Sequence, residues 1–105
     1  MSRDRRRVPR LACRHLSVLS QGGSHYCVEI TDINEDGVGL RCSRPLPGRG
    51  HLQLSMPGSL FTREIEMVRS APGDEGYWMG ARFLKGDGKQ EALYAYLDFV
   101  RPQRH

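Results

Sequence analysis

The feature that most constrains the fold is a series of short segments in which apolar and polar residues alternate. In one of them Val38, Leu40 and Cys42 alternate with Gly39 and Arg41, the pattern of a strand with one buried face. Six such segments lie between residues 11 and 84, separated by turns rich in glycine and proline. Short strands at regular spacing predict a closed or nearly closed antiparallel barrel, because closure removes exposed strand edges.

The end of the chain changes period. Asp87 is a candidate helix cap, and apolar residues then recur at steps of three and four, namely Ala92, Leu93, Tyr96, Leu97 and Val100. This pattern predicts an amphipathic helix over about residues 87–100, lying across one barrel opening. The fold class expected is therefore all-β with a C-terminal helix, on a six-stranded antiparallel β-barrel.

Length and charge bound the class of protein. The 105 residues, 38% hydrophobic and 27% charged, describe one globular domain. No apolar run approaches the roughly 18 residues of a membrane span, and no secretory signal is visible, so we expect a cytoplasmic protein without membrane insertion. The net charge of +4 is concentrated in residues 1–14, which carry six arginines and one acid. We expect residues 1–10 to be a flexible arginine-rich segment and residues 11–105 to be the barrel with its helix.

The cysteines and histidines give no sign of a metal site or of catalysis. The three cysteines have no C-x-x-C spacing, and we expect all three to be buried, reduced thiols. The four histidines are scattered singly, away from any serine or cysteine constellation. The sequence therefore predicts a binding protein rather than an enzyme, with no cofactor.

Two short motifs carry the chemistry. Arg6-x-x-x-Arg10 offers planar guanidinium groups, which bind phosphate and the O6/N7 edge of guanine bidentately. Asp32-x-Asn34-x-x-Gly37 places a carboxylate two residues before a carboxamide, beside a glycine turn. A carboxylate can accept both the N1–H and N2–H donors of guanine. The pair of motifs favours a guanine nucleotide site.

The order and spacing of these motifs resemble the RxxxR and (D/N)xSxxG signature of PilZ domains, small bacterial receptors for the second messenger cyclic di-GMP. Gly80-Ala81-Arg82-Phe83-Leu84 is similar to the late strand of that family. The resemblance spans nearly the whole chain and implies a six-stranded barrel and a ligand site formed by Arg5, Arg6, Arg7, Arg10, Asp32, Asn34 and Gly37. Asn34 stands where the family has serine, and we expect it to weaken binding without abolishing it.

Other interpretations of the same residues stay open. Asp32 and Asn34 also fit an ordinary turn stabilised by side-chain to backbone bonds. Gly37 is expected to supply either a positive φ or room for the ligand. Trp78 and Arg82 share one face of the sixth strand and are candidates to flank the nucleotide, although Trp78 is equally explained by a partner contact or by packing on the outer surface.

The leading functional prediction is a receptor whose N-terminal arginine segment changes conformation on binding cyclic di-GMP and signals to a partner protein. One alternative is a PilZ-like adaptor of pilus or motility machinery with weak or no nucleotide binding, which Asn34 favours and the intact arginine pair disfavours. A second is a small basic barrel that binds single-stranded nucleic acid. Nucleic acid is the less favoured partner, because the strands lack a row of aromatic residues for base stacking.

Overall fold

The structure, a computed structural model, describes residues 11–84 and 90–100 of the chain. Six strands precede one helix in these residues: β1 (Leu11–Gln21), β2 (Ser24–Ile33), β3 (Gly37–Cys42), β4 (Arg49–Met56), β5 (Ser59–Gly73), β6 (Gly76–Phe83) and α1 (Gln90–Val100). The strands pair antiparallel in the order β1-β2-β3-β6-β5-β4 and close into a barrel. The predicted fold class is thus confirmed.

The seam that closes the barrel is narrow. Strands β1 and β4 pair through Leu19 opposite Leu52 and Ser20 opposite His51, and the hydroxyl of Ser17 donates a hydrogen bond to the carbonyl of Gln53. The other neighbouring strands pair over four to nine register positions. Closure therefore depends on a short contact, supported by the core beneath it.

The core occupies the barrel interior and is formed by side chains on the inward face of every strand. Its largest fully buried aliphatic and sulfur-containing side chains are Leu19, Ile30, Ile33, Leu40, Leu52, Leu54, Ile65 and Met79. Within β3, β4 and β6 these side chains follow the alternation of the sequence, because successive side chains of a strand point to opposite faces.

Helix α1 packs at the end of the barrel that contains the start of β1 and the turn between β4 and β5. Its buried residues are Leu93, Tyr96, Leu97 and Val100. The Tyr96 ring lies edge-on to His15 of β1 and to Phe61 of β5, with centroids 6.2 and 6.5 Å apart. The predicted amphipathic helix is confirmed over Gln90–Val100, while its predicted start at Asp87 lies outside the described residues. Within residues 11–84 and 90–100, the structure has no helix both long and apolar enough to cross a membrane.

Two expectations from the sequence are wrong in detail. Cys27 is exposed, whereas Cys13 is half-buried and Cys42 buried, so the three thiols do not share one environment. Cys27 lies in β2 next to buried Val28, and alternation turns it outward. Pro72 and Gly73 belong to one of the glycine- and proline-rich turns expected from the sequence, but they lie in strand β5, because β5 pairs with β6 up to the hairpin at Gly76.

Register shifts at three positions shape the outer face, defined here as the face of the barrel opposite the core. One shift lies between Ile30 and Asp32, where Thr31 is the extra residue of a β-bulge. Ile30 and Ile33 can consequently both enter the core while Asp32 between them lies half-buried on the outer face. The bulge thus places a carboxylate on the outside of the barrel at the end of β2.

Candidate functional site

The turn between β2 and β3 is organised by the side chain of Asn34. Its Oδ1 accepts hydrogen bonds from the backbone N–H groups of Asp36 and Gly37, at 2.8 and 2.9 Å. The backbone N–H of Asn34 donates to the carbonyl of Gly37 at 3.0 Å. Asn34 is 5% exposed. The carboxamide oxygen therefore has both of its acceptor positions occupied by the turn, which is the structural interpretation that the sequence left open.

Gly37 does not have a positive φ, which was one of the two reasons expected for glycine at this position. The described glycines with positive φ are Gly22, Gly23, Gly48, Gly58 and Gly76. Gly37 instead lies in regular β3 and pairs with Arg82 of β6. The positive-φ explanation is therefore wrong, and room for a ligand stays a prediction.

Asp32 precedes this turn on β2, with its carboxylate on the outer face. The hydroxyl of Thr31 donates to Oδ2 of Asp32 at 3.3 Å. Burial raises the pKa of the Cys13 thiol on β1, and the negative charges of Asp32 and Glu29 raise it further. The Asp32 carboxylate therefore acts electrostatically on the neighbouring strand. The carboxylate also lies directly over Gly39, its cross-strand partner on β3.

The pairing of four strands arranges the outer face in rows. In the central row, which we call the glycine row, the strand register aligns Asp32, Gly39, Gly80 and Arg69. On β6, Trp78 and Arg82 lie one outward position to either side of Gly80. The structure therefore brings Asp32, Gly37, Trp78 and Arg82, four residues predicted from the sequence, onto the same outer face.

The flanking residues make contacts of their own. Arg82 donates two hydrogen bonds to Oε1 of Glu66, at 3.0 and 2.6 Å, and this arginine lowers the pKa of that carboxyl group. The guanidinium of Arg69 lies over the indole of Trp78, 5.3 Å from the ring centroid. A cation above an indole is the strongest cation–π arrangement that proteins use. The outer face next to Asp32 thus combines one indole, two guanidinium groups and the carboxylates of Asp32 and Glu66.

A cavity of about 310 Å³ adjoins this face, sharing Trp78 as a wall. Arg14 and Arg41 line it together with Asp74 and Glu75, so that its charges balance. Nη1 of Arg41 lies 3.5 Å from Oε1 of Glu75 and 3.7 Å from Oε1 of Glu29. Because its arginines already face carboxylates, the cavity offers an anionic ligand no excess of positive charge.

The remaining predicted ligand contacts, Arg5, Arg6, Arg7 and Arg10, lie outside the described residues. The sequence did not identify Gly39 or Arg69 as site residues, and it gave Gly80 only as part of the motif of the late strand. The G-x-G spacing of Gly37 and Gly39 was visible, but the alignment of Gly39 with Gly80 depends on which strands become neighbours. The position of Arg69 opposite Gly80 depends on a register shift in β5.

Within residues 11–84 and 90–100, no group of three or more histidine, cysteine or acidic side chains is placed to hold a metal ion. The charged and indole groups placed around the glycine row are the carboxylates of Asp32 and Glu66, the guanidinium groups of Arg69 and Arg82, and the indole of Trp78. This set suits hydrogen bonding and stacking with an organic anion.

Comparison with known proteins agrees with the geometry. The family model of the PilZ domain matches residues 4–99, a range that includes both motifs, all six strands and most of α1. A comparison with curated proteins gives no match. With the barrel, the turn between β2 and β3 and the late β6 strand all inside the matched range, the chain belongs to the PilZ domain family.

Proposed function

We propose that this protein is a cyclic di-GMP receptor that binds the nucleotide on the outer face of the barrel. PilZ domains are in general receptors for this second messenger. The observation that carries the proposal is the position of the Asp32 carboxylate, outside the core, at the end of β2 and beside the turn of the second motif. A carboxylate in this position can accept the N1–H and N2–H donors of one guanine.

The arginines complete the proposed site. Cyclic di-GMP carries two phosphates and two guanines, so its receptor must neutralise charge and contact base edges. Arg6 and Arg10 are proposed to hold the ligand through phosphate and the guanine O6/N7 edge, with Arg5 and Arg7 adding phosphate contacts. Arg82 and Trp78 flank the site on β6, where a base could stack against the indole or a guanidinium plane.

The signalling step follows from the position of the arginines in the chain. They precede β1, so a ligand held between them and Asp32 draws the start of the chain toward the outer face. We propose that this change of conformation in residues 1–10 is the signal, and that a partner protein binds the altered surface in the cytoplasm. Neither enzymatic activity nor a cofactor is required, because binding energy alone supplies the change.

One observation favours a second candidate, an adaptor that binds a protein partner with weak or no nucleotide binding. Oδ1 of Asn34 is occupied by two backbone N–H groups of the turn. If the family's serine hydroxyl contacts the ligand directly, Asn34 supplies no equivalent acceptor. The affinity for cyclic di-GMP decides between the two candidates.

Isothermal titration of the full chain tests the proposal, with cyclic di-GMP, GTP and a short single-stranded oligonucleotide as separate ligands. We expect heat of binding with cyclic di-GMP and much weaker or no binding of the other two. Folded protein that gives no heat with cyclic di-GMP at high micromolar concentration contradicts the proposal and leaves the adaptor. Binding of the oligonucleotide alone identifies the barrel as a nucleic-acid binder.

Arg10→Ala tests the arginine pair. We expect it to weaken cyclic di-GMP binding by at least ~2 kcal/mol, because a charge-assisted contact with the ligand is lost. The melting temperature should change little. Arg44→Ala is the matched control, since Arg44 is an exposed arginine that follows the far end of β3, where its guanidinium lies over Tyr26. Equal losses in the two variants indicate a non-specific effect of charge and not a ligand contact.

A further inference from the structure

Gly39 has no conformational reason to be glycine. It lies inside β3, and its φ is not in the left-handed region that favours glycine. Glycine in a strand interior weakens the strand, and it often marks a place where another group approaches the backbone closely. A separate reason for glycine at position 39 must therefore come from its surroundings.

The surroundings of Gly39 identify that group. A Cβ built on Gly39 would lie 2.6 Å from Oδ2, 3.0 Å from Cγ and 3.0 Å from Oδ1 of Asp32. These are its three nearest neighbours, and all of them belong to one carboxylate. No backbone atom is as close, so the space above Gly39 is used by the Asp32 side chain.

We propose that Gly39 is a positioning residue that holds the Asp32 carboxylate flat against the sheet, in the orientation that binds guanine. This inference rests on the proposed function, because it specifies how one of its ligand contacts is oriented. Asp32 and Gly39 are directly opposite in the register, and the absent side chain lets the carboxylate lie across the neighbouring strand. A carboxylate in that position presents both oxygens along the outer face rather than away from it.

The size of the displacement decides the expected effect. A methyl group at position 39 must move Oδ2 from 2.6 Å to the 3.4 Å at which ordinary contacts begin, a shift of at least about 0.8 Å. Binding groups work only when held within about 0.5 Å of their productive geometry. The end of a short side chain can rotate away without moving the backbone, so the barrel tolerates the methyl group and the ligand site does not.

Gly80 offers a matched control. It lies beside Gly39 in the glycine row, it also has an ordinary φ, and its Cβ would meet Trp78 at 3.3 Å and Arg69 at 3.6 Å. Gly80→Ala therefore adds the same methyl group to the same face of the next strand, without a contact to Asp32. Any effect of alanine on the sheet itself is common to both variants.

The experiment is a double-mutant cycle in the full chain, with cyclic di-GMP binding measured by titration and folding by the melting temperature. We expect Gly39→Ala to weaken binding at least about tenfold with little change in melting temperature, and to cost nothing further in the Asp32→Ala background. Gly80→Ala should have the same effect, large or small, in both backgrounds, because its neighbours are Trp78 and Arg69.

The outcomes separate this inference from the proposed function. If the wild-type protein binds no cyclic di-GMP, the proposed function is wrong and the positioning role is overturned with it. If the wild type binds, and Asp32→Ala weakens binding but Gly39→Ala does not, only the positioning role is wrong. The same conclusion follows if Gly39→Ala weakens binding by an equal factor with and without Asp32, since the methyl group then acts on the ligand or the fold directly.

Discussion

Replacing Asn34 by alanine removes the acceptor that organises the turn between β2 and β3, and it should destabilise the whole barrel. Two backbone N–H groups lose their partner, those of Asp36 and Gly37. Gly37 is buried, so its N–H bears the full cost of an unsatisfied donor, about 1–3 kcal/mol. Asp36 is exposed and its N–H can bind water, so its loss costs less.

Together these losses lower the free energy of unfolding by about 2 kcal/mol. For a domain of this size that corresponds to a fall in melting temperature of roughly 8 to 16 °C. Thermal unfolding followed by circular dichroism measures it, with chemical denaturation as a check on the free energy. Asn34→Ser keeps a weaker acceptor and should lie between alanine and the wild type.

Glu35→Ala is the control for the N34A variant, since it removes a side chain from the same turn and leaves the acceptor in place. We expect its melting temperature to stay near that of the wild type. If Asn34→Ala and Glu35→Ala melt at the same temperature, the two hydrogen bonds to Oδ1 contribute nothing measurable, and the assignment of Asn34 as the organiser of the turn is wrong.

Three further outcomes are expected. Burial raises the pKa of Cys42 to about 11 and that of Tyr96 to about 12, so the folded protein holds these protons more tightly than the unfolded chain. The stability that both groups contribute is present below pH 9 and falls as the pH rises through these values. Tyr96→Phe should therefore reduce the loss of stability that chemical denaturation measures above pH 10. At neutral pH, Ellman's reagent should modify exposed Cys27 first, because burial protects Cys42 and raises the pKa of Cys13. Cys27→Ser should abolish the fast phase in the time course of modification. In titrations with cyclic di-GMP, Asn34→Ser should tighten binding by up to roughly 1 kcal/mol, whereas Asp32→Ala should weaken it by more; the opposite order would mean that this turn does not contact guanine.

The outline of the fold could be predicted from the sequence because strand alternation is a local signal. Val38, Leu40 and Cys42 identify β3 by their spacing alone, and the same rule identified the buried faces of β2 and β6. The amphipathic period of residues 92–100 indicated the helix in the same way. Closure into a barrel followed from the number of strands, since unpaired edges are costly.

The candidate site was predictable only where its residues form a motif along the chain. Asp32, Asn34 and Gly37 stand close together in the sequence, so their spacing is recognisable from the order of residues alone. The motif did not reveal that Asn34 Oδ1 is occupied by the turn, or that Gly37 has an extended backbone. Those facts depend on backbone geometry, which several sequences with the same spacing can satisfy in different ways.

Tertiary structure alone decided what lies beside what on the outer face. The alignment of Asp32 with Gly39, Gly80 and Arg69 joins residues up to 48 positions apart, and two register shifts are needed to bring them into one row. The contact of Tyr96 with His15 is likewise a consequence of packing. A sequence specifies which residues alternate within a strand, whereas bulges and strand order set the register between strands, and a shift of one residue changes every neighbour across it.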